Sequence, residues 1–166
     1  MAQVALYPGK GLQEIAKKLM DHPDGVLGLC NLANIAYLFR EEAKKRDGKP
    51  VLWEMKKASD EVRGLVQEEI DLILTIPADE WEKLDETDQE ALVHEALCSI
   101  NVKEDEKSGG TKFSVVKPNF QGYRENLRKY GAWREDFTEA KNILNAEAAI
   151  NAEFGFSDGA QPSAEA

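Results

Sequence analysis

The residues best equipped for chemistry are His94, Glu95 and Cys98, in the run Ala91-Leu92-Val93-His94-Glu95-Ala96-Leu97-Cys98-Ser99. A helix that holds a catalytic zinc through His-Glu-x-x-His projects two imidazoles, four residues apart, onto one ion. The Glu directly after the first His takes a proton from the metal-bound water. Here His94-Glu95 begins such a run, but the position four residues on is Cys98. Cys is itself a good zinc ligand. His94 and Cys98 are therefore candidate metal ligands, and Glu95 is a candidate general base. A third ligand would have to be a carboxylate or His22, the one other histidine of the chain. A plainer reading competes with this one. At about 100° per residue, Leu92, Val93, Ala96, Leu97 and Ile100 cover one continuous arc of a helix. His94 and Cys98 then flank one edge of a core stripe, and Glu95 and Ser99 flank the other.

The elements that must position this helix are partly legible. Thr87-Asp88-Gln89-Glu90 has the capping-box pattern and predicts a helix from there to about Asn101. Leu12, Ile15, Ala16 and Leu19 predict a short amphipathic helix over 11–20. Asn34 to Arg40 reads as a strand, and Val51, Trp53 and Met55 alternate with Leu52, Glu54 and Lys56 as a second. With the polar turn Lys44 to Pro50 between them, these two runs predict an antiparallel hairpin. Ser59 to Gln67 is a short helix or turn. Ile70 to Ile76 is nearly continuous apolar sequence stopped by Pro77, which suits a central strand covered on both faces. Ala78 to Leu84 predicts a helical turn with Trp81 as a core anchor. A charged loop from Lys103 to Lys112 leads to a short strand over Phe113 to Val116. Pro118 then opens a long helical stretch carrying Tyr123, Leu127 and Tyr130, with Gly131 as a candidate break before Trp133 and Phe137. The candidate core is Ile35, Leu38, Trp53, Leu72, Leu74, Trp81, Leu92, Leu97, Leu127 and Trp133. One domain over 1–150 is expected, followed by a loose, Ala-, Gly- and Ser-rich tail over 151–166.

Composition excludes several classes. The chain has 166 residues and a net charge of -10, with 31 acidic against 21 basic side chains. That balance disfavours direct binding to nucleic acid or to an anionic membrane, since phosphate binding is driven by Lys and Arg. The two cysteines, Cys30 and Cys98, are too few for a disulfide scaffold and fit a reducing compartment. The first ten residues lack an apolar signal core, and no apolar run is long enough to span a bilayer. The expectation is a soluble cytoplasmic protein. The acidic run Asp79-Glu80, Glu82, Asp85-Glu86, Asp88 and Glu90 is most simply a solvated helix face. Its functional reading is an acidic nucleic-acid mimic that inhibits a host enzyme.

Several stretches in this order resemble the putative phage metallopeptidases, small zincin-like proteins of bacteriophages and prophages. They are Ile35-Ala36-Tyr37-Leu38-Phe39-Arg40, Gly48-Lys49-Pro50-Val51, Lys56-Lys57-Ala58-Ser59 and Asp71-Leu72-Ile73-Leu74 before Trp81 and Leu84. Then come Gln89-Glu90-Ala91-Leu92-Val93 and Arg128-Lys129-Tyr130-Gly131-Ala132-Trp133. The resemblance spans about residues 12 to 140. In that family the peptidase helix reads like Leu-Val-Asp-His-Glu-Leu-Cys-His. Aligned without a gap, Leu97 and Cys98 match. The first ligand position then holds Glu95, the general-base position Ala96 and the second ligand position Ser99. Downstream, a family His-Asp-x-x-Glu-Phe segment is replaced by Pro118-Asn119-Phe120-Gln121-Gly122-Tyr123. A one-residue gap instead keeps His94 as ligand and Glu95 as base, with Cys98 for the second His.

The resemblance implies an α+β, zincin-like domain with an antiparallel or mixed sheet packed against helices. It implies a phage-encoded protein acting in the bacterial host. The favoured expectation is a catalytically degenerate scaffold that acts by binding a protein and has no cofactor. The enzyme alternative is a zinc-dependent peptidase of peptide substrates using His94, Cys98 and Glu95.

Overall fold

Residues 5–23, 25, 27–122 and 124–153 are described by a computed structural model of the chain. A first unit, Met1–Lys117, begins with β1 (Leu6–Pro8), α1 (Lys10–Met20), a 3₁₀ turn (Gly28–Leu32) and β2 (Ile35–Arg40). It continues through β3 (Lys45–Arg46), β4 (Lys49–Pro50), β5 (Glu54–Lys57), α2 (Asp60–Leu65) and β6 (Leu72–Pro77). It ends with α3 (Ala78–Trp81), α4 (Glu86–Cys98), β7 (Ile100–Glu104) and β8 (Thr111–Val115). A second unit, Pro118–Ala166, carries α5 (Arg124–Tyr130) and α6 (Glu135–Glu153). The class is α+β, as expected, with a mixed sheet.

The main sheet has the spatial order β1-β2-β6-β5, with β2 and β6 parallel and the outer pairings antiparallel. This corrects the expected hairpin between Ile35–Arg40 and the run after Pro50, because β6 lies between those strands. The most apolar strand takes an inner position, where both of its backbone edges are paired. Its parallel register with β2 starts at a reciprocal clasp. The Asn34 N–H donates to the Asp71 carboxylate at 2.8 Å, and the Asp71 N–H donates to the Asn34 carbonyl at 2.8 Å. The polar turn forms its own small hairpin, β3–β4, around Asp47 and Gly48 at φ 51° and 77°. Positive φ at both central residues is the geometry that suits the twist of the flanking strands.

Leu72, Leu74 and Ile76 of β6 are buried on one face of the sheet. Their partners across β2 are Ile35, Tyr37 and Phe39, and Met55 of β5 sits opposite Leu74. The other face of β6 carries Ile73 and Thr75, which are only half-buried, so β6 is fully covered on one face and not on both. Leu38 shares that second face. There Lys44 Nζ holds the Glu54 carboxylate at 2.8 and 3.1 Å.

Two helices complete the core. Helix α1 buries Leu12, Ala16 and Met20, four residues apart in turn. Helix α4 packs beside it and buries Leu92, Val93, Ala96 and Leu97. The cap of α4 is Asp85, whose carboxylate accepts from the Asp88 N–H at 2.8 Å, so the helix starts two residues before the predicted Thr87 cap. Gln89 is thereby freed to donate to the Trp81 and Leu84 carbonyls at 3.2 and 3.3 Å. The helix stops at Cys98 and not near Asn101, because Ile100 enters β7. Lys103 and Lys112 pair across β7 and β8, which narrows the expected loop to 105–110. Trp81 is half-buried and meets Phe39 edge-on at 5.8 Å, in the anchoring role expected of it.

In the second unit, Gly131 at φ 64° ends α5, its N–H donating to the Leu127 carbonyl at 2.8 Å. Leu127 and Trp133, both expected in the core, are exposed. The Trp133 indole donates to Asn126 Oδ1 at 2.6 Å, and the Arg134 guanidinium lies over its ring at 5.4 Å. Phe137 is buried there, approached so closely by Gly122 that an added Cβ would meet its ring at 2.6 Å. Residues 119–122 are not helical, so the helical stretch starts at Arg124, and Tyr123 lies outside the described residues. Helix α6 runs to Glu153, and the rest of the expected tail also lies outside them. No helix among the described residues is long and apolar enough to cross a membrane.

Truncation at the core should cost far more than truncation on the surface. Leu97→Ala, at a fully buried site of α4, should lower the unfolding free energy by about 2–5 kcal/mol. Leu144→Ala, at a side chain 67% exposed, should change it by no more than about 0.5 kcal/mol. Urea titrations followed by circular dichroism measure both, and equal losses would contradict this assignment of the core.

Candidate metal and peptidase site on helix α4

The four buried residues of α4 set its rotation, and with it the direction of every residue between them. His94, Glu95 and Cys98 are exposed, while Ser99 is buried at the end of the helix. Cys98 Sγ lies 3.5 Å from His94 Nδ1, one helical turn away. The structure thus brings the two candidate ligands together. On the α1 side of His94 an open groove of about 440 Å³ is lined by Leu19, Glu86, Thr87, Glu90, Ala91 and His94 itself. Glu90, one turn before His94, is engaged by Lys18 Nζ at 3.2 Å.

Glu95 turns towards β5. Its carboxylate accepts the Trp53 indole N–H at 3.1 Å. Trp53 was legible in the sequence only as a core residue. Its partnership with a residue 42 positions away follows from β5 taking the sheet edge and leaves no mark in local sequence. In the ungapped family register, Glu95 stands at the first ligand position and Ser99 at the second. The Ser99 hydroxyl is turned back into the helix, donating to the Ala96 carbonyl at 2.6 Å. Ala96, at the general-base position, is fully buried.

The third ligand is the missing part. His22 lies in the turn after α1, where its carbonyl accepts from the Gly25 N–H at 2.9 Å. Among the described residues, no three His, Cys, Asp or Glu side chains are grouped so that they could hold a metal ion. In the replaced downstream segment, the Gln121 carbonyl accepts from Arg134 Nη2 at 2.9 Å. The acidic run is largely absorbed by local structure. Asp79 accepts the Ala43 and Glu80 N–H groups, Asp85 caps α4, Glu80 pairs with Lys83 and Glu90 pairs with Lys18.

Both thiols titrate above their ordinary range. Burial, and then the charge of Glu95, push the Cys98 thiol above the ordinary range. Burial and then Cys98 do the same to Cys30, whose Sγ rests 3.9 Å from the Leu97 carbonyl. Burial and then Cys30 raise the Tyr37 hydroxyl to about 12. Nothing in the sequence pattern singled out Cys30 or Tyr37 as neighbours of this helix end.

A mixed sheet with helix α4 packed beside it thus leaves His94, Glu95 and Cys98 of the His-Glu-x-x-Cys run exposed. The chain belongs to the putative phage metallopeptidase family, whose model matches residues 6–142. No curated protein and no solved structure matches it.

The thiol environment makes a pH prediction. Only the thiolate is nucleophilic, so alkylation of Cys98 by iodoacetamide should rise with pH to a midpoint above that of a free cysteine. Glu95→Gln removes one of the two causes and should lower that midpoint. Peptide-resolved mass spectrometry across a pH series measures both. A midpoint at or below the free-thiol value would contradict the described environment.

Proposed function

We propose that this family member is a catalytically degenerate scaffold that acts in the host cytoplasm by binding a protein, with residues 1–150 working as one domain. The observation that carries this reading is the internal use of both family ligand positions. Glu95 is tied to the Trp53 indole and Ser99 to the Ala96 carbonyl. A water-activating zinc takes about three protein ligands and leaves an open position. The donors described on α4 fall short of that set, and this reading has no catalytic cofactor. A net charge of -10 suits a protein partner with a basic surface, since complementary potential steers association.

A second reading is favoured by one distance, the 3.5 Å between His94 Nδ1 and Cys98 Sγ. In it these two residues are zinc ligands and Glu95 is the base of a peptidase acting on peptide substrates. The two readings differ in a direct assay. Reduced protein supplied with zinc should release no more peptide from unfolded casein than a blank, and Glu95→Gln should behave identically. Cleavage by the wild type that is abolished by Glu95→Gln, with the variant still folded, would establish the second reading and refute the first.

A further inference from the structure

Strand β2 has one edge that the sheet leaves partly open. Successive residues of a strand direct their backbone N–H and carbonyl groups to opposite edges. The even positions of β2 face β6, since the Asn34 carbonyl accepts from the Leu72 N–H at 3.3 Å. The odd positions face β1, since the Tyr37 carbonyl accepts from the Gly9 N–H at 2.9 Å. Strand β1 pairs with Leu38, Phe39 and Arg40, and after Gly9 the chain leaves that line to enter α1. Ile35, two positions before Tyr37, therefore directs its N–H and carbonyl past the end of β1. Among the described residues, nothing bonds to either group.

A groove of about 660 Å³ lies along this edge, bounded by Ile35, Ala36 and Tyr37. Its size is that of a ligand cleft (~300–1,000 Å³). It is lined from α1 by Gln13 and Lys17, one helical turn apart, and from the loop before β6 by Glu68 and Glu69. Both linings are braced. Asn31 Nδ2 donates to the Met20 carbonyl at 3.3 Å and to the Asp21 carboxylate at 3.1 Å, which ties the end of α1 to the 3₁₀ turn. Arg63 Nε donates to the Ile70 carbonyl at 3.1 Å and fixes the loop. The charged side chains themselves are uncommitted. Lys17, Glu68 and Glu69 are exposed, and none forms an ion pair among the described residues.

We propose that this groove is where the protein partner docks, as an extended segment that bonds the Ile35 N–H and carbonyl through its own backbone and sets a Lys or Arg side chain against Glu68 and Glu69. The proposal rests on the protein-binding reading above and gives it a place and a chemistry. Pairing with an open strand edge is a recurring mode of peptide capture, in which main-chain bonds hold the segment and side chains select it. Charge decides the selection here. Two carboxylates against the single ammonium of Lys17 make the groove acidic, in a chain of net charge -10. A basic segment is drawn in and an acidic one is repelled. The braced linings need no reordering on binding, which favours affinity. The site is also separate from α4. It lies on the β1 side of β2, whereas Glu95 meets β5 at the other end of the sheet.

Panning a display library of random heptapeptides against the full-length chain tests this, with enriched peptides resynthesised and measured by fluorescence polarisation. Enriched peptides should carry Lys or Arg among β-branched residues. On binding, hydrogen exchange at the Ile35 amide should slow about ten-fold or more, an effect that charge attraction alone would not produce. Glu68→Lys together with Glu69→Lys, and separately Gln13→Trp to fill the groove, alter exposed positions and should each weaken binding about ten-fold or more. Glu106→Lys, exposed on the β7–β8 loop, should change it by less than about two-fold. No enrichment, enrichment of acidic peptides, or an Ile35 amide unchanged by the bound peptide would overturn the proposal. A chain that doubles in mass without peptide, and reverts with Gln13→Trp, would assign the edge to a second copy and overturn it as well. Peptides that bind both groove variants undiminished would overturn this site and leave the protein-binding reading standing. Casein cleavage abolished by Glu95→Gln would instead overturn that reading itself.

Discussion

The rotation of α4 about its own axis is the constraint on which the rest of the chemistry depends. Leu92, Val93, Ala96 and Leu97 are all buried against α1 and the sheet. One residue of slippage would turn the helix by about 100° and expose that stripe. Fully burying a side chain such as Leu or Val contributes roughly 1.5–3 kcal/mol, so the orientation is strongly determined. Once it is set, His94 and Cys98 share one exposed stretch, Glu95 faces the β5 edge, and Ser99 is drawn into the helix end. The directions of these side chains follow from packing and do not require a metal.

That same packing gives the scaffold a stability that does not rest on peptidase chemistry. The fold is held by β2, β6, α1 and α4, whose apolar contacts involve none of the residues a zinc site needs. Substitution at the ligand positions is then cheap in stability. Glu95 finds a hydrogen bond to Trp53 at 3.1 Å and Ser99 one to Ala96 at 2.6 Å, so neither is left as an unsatisfied polar group. The His94–Cys98 pair lies beside these positions, one helical turn apart and in contact at 3.5 Å.

Local periodicity made much of this legible in the sequence. The arc of α4 predicted from Leu92 to Ile100 is the arc that is buried, and the helix over 11–20 and the strands at Ile35 and Leu72 lie where their patterns placed them. What failed was non-local. The supposed hairpin missed that β6, which begins 37 residues after β2 does (Ile35 to Leu72), inserts between its two strands. Thr87 looked like a cap because Glu90 follows three residues on, but Asp85 is the better placed acceptor for the first turn. Leu127 and Trp133 were assigned to the core from spacing alone, and Asn126 and Arg134 hold Trp133 at the surface instead. At the site, the pairing of His94 with Cys98 follows from helical spacing, whereas the Trp53–Glu95 bond depends on strand order.

The central claim is that Glu95 belongs to Trp53 and not to a metal centre. Nitrogen-15 NMR of the wild type during zinc titration tests it most directly, with the Trp53 indole resonance assigned through Trp53→Phe. The account predicts that this resonance stays in place at every zinc concentration. A Trp53 indole signal that shifts as zinc is added would show Glu95 leaving its partner for the ion, and would contradict the account.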